Sequence, residues 1–183
     1  MAFRGDDHLT VVLVGRPNVG KSTLFNKITD SRRSIVAPVA GTTRDVIDQP
    51  ASWRGRSFTL VDTGGMFGAT TDPLHKLVIQ HGRKALESGA LIIFVVDGRE
   101  GLVPGDEEIA QAMRETGTPV ILAVNKTDDR RSRHGAMEFY RLGFDTVVEV
   151  AAEHGTGVGD LLDEVIARLP AVPRGPAPFE HGE

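Results

Sequence analysis

Gly15-Arg16-Pro17-Asn18-Val19-Gly20-Lys21-Ser22 spells G-x-x-x-x-G-K-S, set between an apolar run that stops at Val14 and a helical pattern that starts at Lys21. Those residue types in that order suit dense negative charge. Successive backbone N–H groups and a helix N-terminus can neutralise phosphate without mobile side chains. Gly15 and Gly20 let the backbone wrap a β-phosphate. Lys21 can reach the β- and γ-phosphates, and the Ser22 hydroxyl can ligate Mg²⁺. Arg16, Pro17, Asn18, Val19 and the following Thr23 complete the expected contact set. The motif alone does not separate a GTPase from an ATPase or a nucleotide kinase.

A second cluster names a base. Asn125-Lys126-Thr127-Asp128 follows the apolar run Val120 to Val124, roughly 100 residues beyond the phosphate loop. Its side chains then sit at the carboxyl end of a buried strand, the edge where open α/β sheets bind ligands. The Asp128 carboxylate can accept two hydrogen bonds from N1–H and the 2-amino group of guanine. Adenine lacks that donor pair, and a carboxylate facing an acceptor is costly. Asn125 would anchor the base and the loop, and the Lys126 stem would lie along the purine face. Ala151-Ala152-Glu153 adds a weaker signal, with the Ala152 N–H as a donor to guanine O6.

Two further stretches could sense a γ-phosphate. Asp62-Thr63-Gly64-Gly65 closes an apolar run; Asp62 can hold Mg²⁺ through water, and the Gly65 N–H can meet the phosphate. Gly41-Thr42-Thr43-Arg44-Asp45 ends a long polar loop, where Thr43, with Thr42 as fallback, could complete Mg²⁺ coordination. Two loops that order around GTP and relax after hydrolysis make a switch. The metal candidates are thus Ser22, Thr43 and Asp62. Met66 follows Gly65 and cannot orient water. Arg44 is read as a solvated loop charge rather than a finger. His75, His81, His134 and His154 are not read as catalytic bases.

The elements that must position these groups alternate between strand and helix, which points to an α/β fold with a mostly parallel sheet. Leu9 to Val14, Leu91 to Val96 and Val120 to Val124 read as buried strands. Val46 to Trp53 and Ser57 to Val61 flank Arg54-Gly55-Arg56 as a hairpin. Val147 to Val150 reads as a last strand. Helices are expected over Lys21 to Thr29, Asp72 to Glu87, Gly105 to Glu115, Ser132 to Leu142 and Val158 to Leu169. Ser31 to Asp45 reads as a long loop, and Ala171 to Glu183, with Pro173, Pro176 and Pro178, as a linker or tail after a domain spanning 1–170. The chain has 183 residues, 40% apolar and 25% charged, so one globular domain is expected. It has no cysteine, which excludes disulfides, thiolate metal sites and cysteine nucleophiles. No run approaches a membrane span, and the polar start is no signal peptide. Net charge of −4 argues against a general electrostatic nucleic-acid binder. A local exception is Arg32, Arg33, Arg44, Arg54 and Arg56, opposed only by Asp45 and Asp48.

The set Gly15–Ser22, Thr43, Asp62–Gly65, Asn125–Asp128 and Ala151–Glu153 is in the order and spacing of five G motifs. The chain resembles GTPases of the Era/TrmE type, and most of all the first G domain of the Der (EngA) ribosome-assembly GTPases of bacteria. The resemblance runs from Thr10 to about Pro170. It rests also on Phe94-Val95-Val96-Asp97-Gly98-Arg99-Glu100-Gly101-Leu102, on Glu138-Phe139-Tyr140-Arg141-Leu142-Gly143, and on Glu153-His154-Gly155 followed by Gly159-Asp160-Leu161-Leu162-Asp163. It implies a P-loop NTPase G domain, with helices on both faces of a mostly parallel six-stranded sheet. GTP or GDP and Mg²⁺ are the implied cofactors, GTP hydrolysis the implied reaction, and Lys21, Asn18, Thr43 and Gly65 the catalytic candidates. In several relatives with a hydrophobic residue at the Met66 position, an Asn equivalent to Asn18 helps hold K⁺ against the phosphates; K⁺ is the optional third cofactor. Der proteins carry two G domains and a C-terminal KH-like domain and act in large-subunit maturation. The resemblance therefore implies a cytoplasmic protein with no membrane partner. Its partners would be a second G domain and the ribosomal large subunit or rRNA, engaged mainly by downstream domains. Ala151 stands where the family usually has Ser, the first switch reads Gly-Thr-Thr-Arg-Asp-Val, and 66–71 does not match residue by residue. Two other classes stay open: a P-loop kinase or ATPase, and a guanine-nucleotide-binding interaction module with negligible hydrolysis.

Overall fold

The computed structural model describes residues 9–16, 18–29, 47–62, 91–128 and 130–169. Strands β1 (Thr10–Val14), β2 (Ile47–Trp53), β3 (Arg56–Asp62), β4 (Leu91–Asp97), β5 (Val120–Asn125) and β6 (Thr146–Glu149) form one sheet in the order β2-β3-β1-β4-β5-β6. All neighbours are parallel except β2 and β3. The expected mostly parallel six-stranded sheet is therefore present.

β1, β4 and β5 read as unbroken apolar runs because helices cover both of their faces. Alternate residues go to opposite layers. On one face Val11, Leu13, Ile93, Val95 and Ile121 pack with helix α1 (Lys21–Thr29) through Leu24, Phe25 and Ile28, and with α4 (Val158–Arg168) through Val158, Leu161, Leu162 and Val165. On the other, Val12, Val14, Ile92, Phe94, Val96 and Leu122 meet Ile109 and Met113 of α2 (Pro104–Thr116) and Ala136 and Phe139 of α3 (Arg130–Phe139). Burying one such Leu, Ile or Phe contributes roughly 2 kcal/mol, so each layer fixes its helices by many small terms.

Strand ends were expected to within a residue or two. In the hairpin, Trp53 pairs with Arg56, which leaves Arg54 and Gly55 as a two-residue turn with φ of 49° and 81°. Positive φ at both positions is the turn that matches strand twist. Pro50 is tolerated because β2 lies at the sheet edge. β6 starts one residue before the expected Val147. The helix expected over Ser132 to Leu142 is α3, starting at Arg130, followed by a 3-10 turn at Tyr140–Leu142 that ends in left-handed Gly143.

Of the arginines in the basic stretch, only Arg54 and Arg56 lie among the described residues. Arg54 pairs with Asp163 at 2.7 Å, and Arg56 donates to the Ile166 carbonyl at 3.1 Å. Trp53 Nε1 also donates to Asp163, at 2.8 Å. These three residues tie the hairpin to α4. Arg32, Arg33 and Arg44, the loop over Ser31 to Asp45, the helix over Asp72 to Glu87 and the tail after Leu169 lie outside the described residues. No helix among the described residues is long and apolar enough to cross a membrane.

Candidate functional site

The parallel register puts several strand ends at one edge. Leu13 lies opposite Asp62, Val14 opposite Phe94, and Asp97 opposite Asn125. The 15–20 loop, the end of β3 and the 125–128 loop must therefore be neighbours.

The loop after β1 is compact by necessity. A Cβ on Gly15 would collide with the Val95 carbonyl oxygen, and one on Gly20 with the Asn125 side-chain nitrogen. Gly20 also has φ of 99°, a conformation that costs other residues. Asn18 has φ of 68°, which Asn accepts more readily than most. Lys21 opens α1 and is 4% exposed. Its ammonium donates to the carbonyls of Gly15, at 2.7 Å, and Arg16, at 2.9 Å. Burial pushes its pKa down to about 8, with the nearby Arg16 charge acting the same way and Asp62 opposing. Asp62 is buried at the end of β3, Val19 is buried, and Ser22 is exposed on the first turn of α1. Thr23 follows Ser22 and is half-buried.

Asn125 joins three segments. Its amide nitrogen donates to the Val19 carbonyl at 2.9 Å, and its amide oxygen accepts the Ala152 N–H at 3.0 Å. Ala152 is thus not an idle donor waiting for guanine O6. A contact to the base requires that N–H to be shared with Asn125 or released from it. Lys126 has φ of 62° and is held there by two bonds from its ammonium, to the Asn18 carbonyl at 3.0 Å and to Asp97 at 2.9 Å. Such strain persists where surrounding contacts over-determine it. Thr127 is fastened to the Val150 carbonyl through both its N–H and its hydroxyl. Ala151 pairs with Thr156 in a short bridge, and Glu153 is exposed in the turn that follows.

Asp128 lies beside Arg99 and His154, each 3.5 Å from its Oδ2. His154, not read as a catalytic base, is therefore a neighbour of the carboxylate expected to read the base. The expected roles of Pro17, Thr42, Thr43, Arg44, Thr63, Gly64, Gly65 and Met66 fall outside the described residues. Among the described residues no group of three His, Cys, Asp or Glu side chains could hold a metal. The donors present still fit Mg²⁺, which takes few protein ligands and several phosphate or water oxygens. Ser22 presents a hydroxyl on α1 and Asp62 a carboxylate at the end of β3.

Sequence reasoning missed the carboxylates that support these loops. Asp97 accepts the N–H of Arg99 and Glu100 as well as the Lys126 ammonium. Burial alone would raise its pKa; the three donors outweigh it and hold the carboxyl below its ordinary range. Asp106 is fully buried, accepts Arg16 Nε at 2.8 Å, and bonds the Val103 N–H at 3.2 Å. Burial pushes its pKa up, and Arg16 pulls it back. The available signal was an Asp ending an otherwise apolar strand and an Asp in the turn after Pro104.

Residues 10–126 match the family described as 50S ribosome-binding GTPase. The chain is 51% identical over 161 residues to GTPase Der of Natranaerobius thermophilus, covering 88% of this chain and 36% of that protein. It is 47% identical over 159 residues to GTPase Der of Aquifex aeolicus, covering 87% and 37%. It thus spans about a third of the length of these curated relatives. Among solved structures, Era of Aquifex aeolicus bound to GDP and AlF4⁻ superposes with a TM-score of 0.71 at 29% identity, over 88% of this chain and 57% of that one. Era in complex with MgGDPNP and a 16S ribosomal RNA segment gives 0.73 at 28%, over 95% and 60%. With the fold, the loop geometry and the match over 10–126 in agreement, the chain belongs to the 50S ribosome-binding GTPase family.

Proposed function

We propose that this chain binds GTP and GDP through Gly15–Thr23, Asn125–Asp128 and Ala151–Glu153, and hydrolyses GTP slowly as a molecular switch within a longer protein. The observation that carries this reading is Asn125. One buried amide ties the phosphate loop at Val19 to the base-side loop at Ala152. An ATPase or kinase P-loop needs no such tie to an Asn-Lys-x-Asp sequence.

In this reading Lys21 exchanges its two backbone carbonyls for β- and γ-phosphate oxygens. The N–H groups of the 15–22 loop donate to the phosphates, and Asp128 reads the guanine edge. Lys126 is already braced by Asp97 and lays its stem on the purine. Ser22, Thr43 and, through water, Asp62 would hold Mg²⁺, which when bound would supply positive charge to the phosphate oxygens. Gly65 meets the γ-phosphate. Met66 gives no help to the attacking water; Asn18 would help hold K⁺, which when bound would supply positive charge toward the transition state. The family description, 50S ribosome-binding GTPase, supports the ribosomal large subunit as the partner, and the Era structure bound to a 16S ribosomal RNA segment supports rRNA as the kind of surface contacted. Domains after 171–183, including a second G domain, would supply most of that contact, and the setting is cytoplasmic.

The test is GTP turnover by the 183-residue chain in KCl and in NaCl, with ATP as competitor. Turnover that ATP does not inhibit supports the reading. Tight GTP binding without turnover in either salt favours the interaction-module reading, and inhibition by ATP removes guanine selectivity.

A further inference from the structure

Arg16 stands inside the phosphate loop, yet its guanidinium is engaged by two carboxylates outside that loop. Nε donates to buried Asp106 at 2.8 Å and a terminal nitrogen to Glu100 at 3.0 Å. The guanidinium charge is thus already balanced by two carboxylates and is not a second phosphate cation. Its stem has a prepared path: a Cβ on Gly105 would stand 2.9 Å from Arg16 Cδ. Asp106 is itself fixed, because its other oxygen accepts the Val103 N–H at the start of α2. The Arg16 carbonyl, on the same residue, is one of the two acceptors that hold the Lys21 ammonium.

A second grip comes from the same segment. Asp97 holds Lys126, and the same ammonium donates to the Asn18 carbonyl. Arg16 and Asn18 flank Pro17, so residues 97–106 hold the phosphate loop on both sides of that proline.

We propose that the 97–106 segment is a brace that keeps the phosphate loop in its binding shape before any nucleotide arrives, with Arg16 as the positioning residue and the Asp106–Arg16 ion pair as its main strut. Nucleotide then meets a loop that needs no ordering, and losing the strut lowers the competent fraction rather than the chemistry. The inference rests on the reading of 15–22 as a nucleotide phosphate loop.

The experiment measures Mg²⁺-GDP affinity, GTP steady-state kinetics and thermal stability for the 183-residue chain. Asp106→Asn should weaken GDP binding and raise the GTP KM by about tenfold, while kcat stays within about twofold. Arg16→Ala should weaken GDP binding at least as much. Arg16→Ala with Asp106→Asn should be no worse than Arg16→Ala alone, because both remove one strut. Arg16→Lys should recover part of the loss by keeping the Asp106 contact. If Asp106→Asn does not fold, Glu100→Gln at the exposed end of the strut should still weaken GDP binding about two- to threefold. Unchanged GDP affinity in a folded Asp106→Asn or Glu100→Gln variant, or additive losses in the double variant, would overturn the brace. A wild-type chain that binds no Mg²⁺-GDP would refute the phosphate-loop reading instead.

Discussion

Asn125 is the residue whose removal should couple stability and nucleotide binding most directly. It is 3% exposed, and both groups it bonds belong to buried residues. Asn125→Ala strands the Val19 carbonyl and the Ala152 N–H, which are paired now at 2.9 and 3.0 Å. Leaving a buried donor or acceptor unmade costs roughly 1–2 kcal/mol, so the two together should cost about 2–4 kcal/mol in urea unfolding. Nucleotide affinity should fall separately, because the phosphate loop and the base-side loop lose their common anchor; a tenfold loss corresponds to about 1.4 kcal/mol. Asn125→Asp sharpens the test. It keeps the acceptor for Ala152 but turns an oxygen toward the Val19 oxygen in a buried place. The isosteric change should therefore be as damaging as Ala at pH 7. Burial raises the new carboxyl's pKa, so its destabilisation is present above that pKa and relieved as pH falls through it. The protonated acid can donate to Val19, and the gap from wild type should narrow on acidification. Urea melts and GDP titration calorimetry decide the matter. A stability loss under about 0.5 kcal/mol for both variants, or a large stability loss with unchanged GDP affinity, refutes the three-way joint.

Asp128→Asn should lose GTP and gain xanthosine nucleotide binding, read in competitive titrations; unchanged GTP affinity would exclude Asp128 as the base reader. Because burial holds the Lys21 pKa at about 8 in the nucleotide-free chain, GDP affinity should fall as pH rises from 7 to 9. By the same shift the nucleotide-free chain should gain stability from about pH 8 to 10.5, where the unfolded state holds more protons. Calorimetry in buffers of different ionisation enthalpy should show proton uptake near pH 8, and none would contradict a depressed Lys21. GTP turnover should be faster in K⁺ than in Na⁺ at equal ionic strength, and Asn18→Ala should abolish the difference; equal wild-type rates would remove K⁺ from the mechanism. Co-sedimentation of the 183-residue chain with ribosomes should be weak and lost as salt rises, whereas tight, salt-resistant binding would place the partner site in this domain.

The fold was legible because its signals are local. Apolar runs that end in Gly15 or Asn125 mark buried parallel strands, and the i, i+3, i+4 spacing of Leu24, Phe25 and Ile28 marks the face α1 buries. The site motifs were legible for a similar reason: backbone phosphate loops tolerate few residue types. What stayed hidden is long-range. Asp106 lies 90 residues from Arg16, and its position after Pro104 reads equally well as ordinary acidic helix capping. Arg54 reads as part of a basic patch until α4 brings Asp163 to it. His154 and Arg99 meet Asp128 only because the ends of β4, β5 and β6 converge.

That convergence explains why polar side chains finish what the sheet begins. Strand pairing places Asp97 opposite Asn125 and Leu13 opposite Asp62, but the loops after those strands leave the ladder and could fan apart. Apolar packing anchors these loops at Val19, Val150 and Ala152 but does not by itself fix the direction of their polar groups. Directional bonds do, and each joins the phosphate loop to another segment: Asn125 at the end of β5 to Val19, Lys126 to Asn18, and Asp106 of α2 to Arg16. Each uses the carbonyl or charge of one segment to satisfy another, so no single loop is correct alone. Binding energy then need not go into assembling the site, and a ligand that loosens one loop must loosen its neighbours too.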